Sequence, residues 1–154
     1  MSRRVSIHLE GFAHANPVPV ASRIGPHLYS GVLTGRDPVT REMPEGLEAQ
    51  CANVFAHVRE LMAVAGGSLD DIVKMTFHVV RYRDREALNR EWERAFPDPD
   101  DRPARQVMAA SLDGGALVHC DIVAVLQHPS PQEHLPNNIR PHSSFPDSTV
   151  RSSQ

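Results

Sequence analysis

Residues 47–79 read LEAQCANVFAHVRELMAVAGGSLDDIVKMTFHV, and two periodicities meet there. In the first half, Leu47, Cys51, Val54, Phe55, Val58, Leu61, Met62 and Ala65 recur at steps of three and four, which gathers them on one face of a helix. Pro44 and Glu45 suit a first helical turn, and Gly66-Gly67 terminates the run. Past the glycines the period drops to two. Val73, Met75, Phe77 and Val79 alternate with Lys74, Thr76 and His78, as a half-buried strand requires.

Working outward, a second helix is predicted over residues 84–96, with Leu88, Trp92 and Phe96 on one side and Pro97 and Pro99 ending it. Two further strands are expected, at about 105–111 and 117–126. Asp113-Gly114-Gly115 between them has the turn chemistry of a hairpin. On the N-terminal side, Val5-Ser6-Ile7-His8-Leu9 alternates as a strand, and Leu28-Tyr29-Ser30-Gly31 forms another after a Gly25-Pro26 turn. The order strands, helix, strand, helix, strands predicts an α+β layer fold, one sheet with two helices packed on one face. Two helices cover one side only, so the other is solvated or buried against another subunit.

Composition narrows the function. Hydrophobic residues make up 40% and charged residues 23% of 154, which suits one domain with one core. The net charge of -3 opposes a nucleic-acid partner, which favours a basic surface. No apolar run approaches the ~20 residues needed to span a bilayer, so no membrane role is expected. Cys51 and Cys120 sit in unrelated contexts and read as buried free thiols in a reducing cytoplasm. Residues 129–154 hold five of the 13 prolines and aperiodic apolar residues, so the domain is expected to end near 128 and a Pro/Ser-rich tail to follow. Spaced glycines over residues 31–38 lack the Lys-Ser/Thr of a phosphate loop. His119-Cys120-Asp121 alternates across a strand and cannot chelate one metal, and no CxxC or HExxH spacing occurs. No metal is expected.

Asn16-Pro17-Val18-Pro19, Tyr29-Ser30-Gly31, Gln50, the run from Ala65 to Lys74, Asn89 and Arg102-Pro103-Ala104-Arg105 occur in this order. Together they resemble the YjgF/RidA (reactive intermediate deaminase) family over residues 15–127. The resemblance implies a chorismate-mutase-like fold closed into a homotrimer, with sites in the clefts between subunits and no cofactor. It implies hydrolytic deamination of small carboxylate-bearing imines or enamines, 2-imino acids or aminomuconate-type acids. It also implies that Arg105 grips the substrate carboxylate, a role suited to a planar, permanently charged fork. By spacing alone, Arg105 reads equally as an edge-strand surface residue or half of an inter-subunit ion pair. Ser30 and Gly31 match pocket residues, as does Asn89 on the second helix, and the main-chain carbonyl near Val107 is implied in placing water. Tyr29 is either pocket wall or packing. The glycine-serine element and a helical asparagine are, on their own, ordinary turn and surface features.

One departure stands out. Family members acting on 2-imino acids carry an Ile-Glu-Ile-Glu-Ala pattern on the last strand, and aligning Ala124 with its alanine puts Val123 in the place of the second glutamate. Valine neither accepts a proton nor orients water. Asp121 matches the earlier glutamate, about 7 Å along the strand, and reads either as the substitute acid or as a cross-strand ion pair. His14, before the Asn-Pro element, is a candidate proton shuttle. The missing glutamate keeps a second function open, a non-catalytic module that binds a small carboxylate metabolite. A ribonuclease role, also attached to family members, is opposed by the acidic balance.

Overall fold

The computed structural model describes residues 3–10, 12 and 16–127. The strands are β1 (Arg4–Ile7), β2 (Ala21–Ile24), β3 (His27–Ser30), β4 (Leu33–Thr34), β5 (Ile72–Val79), β6 (Ala104–Ala109) and β7 (Val118–Val125). The helices are α1 (Leu47–Val64) and α2 (Glu86–Ala95). All strands join one mixed sheet in the order β1-β2-β3-β7-β5-β6, with β4 also pairing β7 beyond the end of β3. The β5–β6 pair is parallel and the other pairs are antiparallel.

Period-two burial sorts the faces. Met75, Phe77 and Val79 of β5 and Val118, Cys120, Ile122 and Ala124 of β7 are buried, whereas Thr76, His78, His119, Asp121 and Val123 between them are not. The Phe77 ring stacks on Phe55 of α1 at 5.9 Å and meets Trp92 of α2 edge-on at 6.3 Å. Both helices therefore cover the same face, as the α+β reading requires. Cys51 and Cys120 are buried free thiols on this side, and burial pushes the Cys51 thiol up to about 12. Gly35 lets the chain entering α1 touch the helix: a Cβ there would lie 2.7 Å from that of Gln50.

The stretch around Gly66 is a chain of local devices. The Gly66 N–H donates to Ala63 O and the Gly67 N–H to Met62 O, with Gly66 at φ 82°, which closes α1 with a left-handed cap. Ser68 and Asp71 then exchange side-chain and backbone hydrogen bonds around a short 3-10 turn, a capping box.

Three expectations need correction. The helix starts at Leu47, not at Pro44, because Pro44 O is held by the Gln50 side chain and Gly46 forms an extended N-cap. Val73 is 51% exposed rather than core. The register against β7 slips between Ile72 and Lys74, so a bulge at Val73 turns Ile72 inward in its place. Asp113-Gly114-Gly115 does not join neighbouring strands either, since β5 lies between β6 and β7. Its glycines do adopt positive φ, 65° and 77°, but the reversal steps across the end of β5, where the Ala110 N–H donates to Val79 O and the N–H of Val80, just past the strand, donates to Leu117 O. The predicted tail at 129–154 lies outside the described residues.

Candidate functional site

Arg105 lies on β6, the edge strand, opposite Met75, so its side chain projects to the helix-covered face. There the half-buried guanidinium lies over the Trp92 ring at 5.1 Å. No acid pairs with it among the described residues. Burial, and then the positive charge of Arg85, draw its pKa down from the usual arginine value, which starts high enough that the charge persists at neutral pH. Arg102 does a different job: its Nε donates to Phe96 O at 2.9 Å and ties the strand's approach to the end of α2.

Val107 sits two residues along β6 on the same face, opposite Phe77 and half-buried. The Ala110 N–H reaches Val79 O across to β5. Backbone groups alternate in direction along a strand, so those of Arg105 and Val107 point away from β5, off the edge of the sheet. Asn89 is exposed on α2, one turn before Trp92, and borders an open groove of about 470 Å³ lined by Arg83, Arg85, Glu86, Asn89, Arg90 and Glu93.

Tyr29, Ser30 and Gly31 belong to another region. Ser30 Oγ accepts the Ile122 N–H at 2.8 Å and donates to Gly31 O at 2.8 Å, filling the break in pairing where β3 gives way to β4. The Gly31 N–H is likewise committed, to Val20 O at 2.8 Å. Tyr29 is 60% exposed on the open face, opposite Val123. Asp121 pairs with Thr76 in the ladder, and His119 with His78, their rings 5.0 Å apart. The Nδ1 atoms of both histidines are buried without a hydrogen-bond partner. Burial first, then His78, draws the His119 pKa down, opposed by Asp121. His14 lies outside the described residues.

The named residues thus form two groups. Arg105, Val107 and Asn89 gather where β6 meets α2, while Tyr29, Asp121 and Val123 share the opposite face of the sheet, with Ser30 and Gly31 at its rim. The single chain does not bring the two groups together. The spacing of residues 81–85 does not single out Arg85, although it stands one helical turn before Asn89. His78 looked like an ordinary outward residue of an alternating strand. Among the described residues, no three His, Cys, Asp or Glu side chains are arranged to hold a metal ion, and no helix is long and apolar enough to cross a membrane.

Residues 15–126 match the family model described as endoribonuclease L-PSP. A RutC family protein of Aquifex aeolicus is 30% identical over 115 residues, 71% of this chain and 92% of that one. A protein of Dermatophagoides farinae described as a 2-iminobutanoate/2-iminopropanoate deaminase is 24% identical over 113 residues, 72% of this chain and 87% of that one. The crystal structure of RidA from an Antarctic Psychrobacter species superposes with a TM-score of 0.73 at 27% identity, covering 79% of this chain and 99% of that one. The two-layer architecture and the matched stretch of sequence therefore agree, and the chain belongs to the endoribonuclease L-PSP family, that of the YjgF, RidA and RutC proteins.

Proposed function

We propose that the protein hydrolyses small carboxylate-bearing imines or enamines to oxo acids and ammonia, in clefts between the subunits of a homotrimer in the cytoplasm. The observation that carries this reading is Arg105: a half-buried guanidinium, lying over the Trp92 ring and without an acid partner among the described residues, beside the outward-facing backbone of the β6 edge. Arg105 holds the substrate carboxylate with a charge-assisted pair. The outward backbone of Val107 and the side chain of Asn89 orient the C=N group. A neighbouring copy supplies Tyr29, Ser30, Gly31, Val123 and Asp121 across the cleft. Water adds its oxygen to the imine carbon and a proton to nitrogen, and the carbinolamine collapses to a carbonyl as ammonia leaves. Such imines hydrolyse unaided, so positioning and charge stabilisation suffice, and the chemistry as written needs no cofactor. The relative described as a deaminase supports the reaction class.

Val123 favours a second reading, a carboxylate-binding module without turnover, because no carboxylate stands at that position on the open face. Endoribonuclease action, which the family description names, is opposed by the net charge of -3. Ammonia release from freshly generated 2-iminopropanoate and 2-aminomuconate separates these readings. Acceleration over the uncatalysed rate is expected, with Arg105→Ala lowering kcat/KM by about 10- to 100-fold, the worth of a hydrogen bond to a charged group. Saturable binding of oxo acids with no acceleration on either compound supports the module and sinks the enzyme reading.

A further inference from the structure

Arg85 is placed where helix stability argues against it. It is the N-cap residue of α2 and makes no capping hydrogen bond with its side chain, at a position that favours Ser, Thr, Asp or Asn. It also sets a positive charge at the positive end of the helix dipole. Two contacts fix its direction: Nε donates to Tyr82 O at 2.9 Å, and the guanidinium carbon lies 4.1 Å over the Tyr82 ring. Both contacts leave the terminal nitrogens available. Among the described residues no acid pairs with it. Of the acids bordering the groove, Glu86 is committed to Arg90, and Glu93 pairs with neither Arg85 nor Arg105.

Arg85, Asn89 and Trp92 follow one another along α2 at steps of four and three, and so share a face. Arg105 closes that row from β6 by lying over Trp92. The row therefore runs from one uncompensated guanidinium to another with an amide between them, and the charge of Arg85 already weighs on Arg105. Two neighbouring like charges, neither ion-paired to an acid among the described residues, are relieved by one dianion more than by one monoanion.

We propose that Arg85 is a specificity-determining residue that binds a second carboxylate, so that the preferred substrate is a dicarboxylic imine or enamine lying along Asn89, with its reacting end at Arg105. This rests on the reading of Arg105 as the group that grips the first carboxylate.

The test compares paired ligands differing by one carboxylate. In the catalytic arm, 2-iminobutanoate and 2-iminoglutarate are generated in the cuvette by an amino-acid oxidase and ammonia release is followed. In the binding arm, 2-oxobutanoate and 2-oxoglutarate are titrated calorimetrically, which needs no turnover. The wild type is expected to favour the dicarboxylate by about tenfold or more. Arg85→Gln should bring the ratio close to one, with Arg85→Lys intermediate, while Arg105→Ala weakens both ligands. Thermal unfolding of each variant guards against misfolding. A wild-type ratio near one, or an Arg85→Gln variant that keeps the full preference, overturns the proposal, as does the absence of measurable binding of either oxo acid. A preference that vanishes with Arg85 in calorimetry while neither imine turns over supports the dianion site and sinks imine hydrolysis. Turnover of 2-iminobutanoate with no dicarboxylate preference does the reverse.

Discussion

Gln50 shows how much one polar side chain can organise. It is fully buried, donates through Nε2 to Pro44 O at 2.6 Å and Gly115 O at 3.0 Å, and accepts the Leu117 N–H at 2.7 Å. It thus holds the entrance to α1 against the loop that crosses from β6 to β7. Gln50→Leu has similar bulk but strands a buried N–H and leaves two carbonyls short of a donor. Destabilisation of about 2–4 kcal/mol is expected, read as a lowered urea midpoint at unchanged slope. A midpoint within error of the wild type would mean that water replaces all three bonds. Ser30 follows the same logic, since its hydroxyl completes the β7 ladder at Ile122. Activity lost on changing Ser30 is therefore attributable to the reaction only where the melting temperature is kept.

At the scale of elements, both helices and β5 were legible because their apolar periods, near 3.6 and 2, are set by the same burial that holds them. What escaped was pairing. The bulge at Val73 shifts which residues face inward without disturbing the composition of the strand, and Asp113-Gly114-Gly115 reports a local reversal but not which strand will lie alongside. The site was half legible for the same reason. The motif marked Arg105, but its projection to the helix side follows from the β5–β6 register, which one sequence does not display. Arg85 falls at the start of the predicted second helix, among the arginines of residues 81–85, where no period singles it out. The antiparallel pair β5–β7 also carries a pH response. The folded-state pKa of His119 lies below its unfolded value, so the folded protein binds fewer protons there. Its contribution to stability is complete above the unfolded pKa of about 6.5 and is lost as pH falls below it. Between pH 7.5 and 5.5 the melting temperature should fall further for the wild type than for His119→Gln, and parallel curves would refute the assignment.

Among the described residues, one side of the sheet is left without a covering layer. Tyr29, Met108 and Val125 expose apolar surface there, and the His78–His119 pair lies beside Met108 on the same side. A second and third copy covering this face are part of the proposed function, and light scattering at pH 7.5 is expected to give three times the 17.0 kDa chain mass. Met108→Glu should shift that mass downward, because a carboxylate buried between copies lacks a partner. A wild-type mass of one chain would leave Arg105 without the residues it is proposed to work with. The position of β7 has one more consequence. The last strand among the described residues lies in the middle, pairing with β3 and β4 on one flank and β5 on the other. A nascent polypeptide halted before residue 118 holds an N-terminal ribbon and a β5–β6 pair with no bridge between them and raw hydrogen-bonding edges on both. Native assembly then awaits translation of β7, and products terminated before it are the forms most exposed to aggregation and proteolysis.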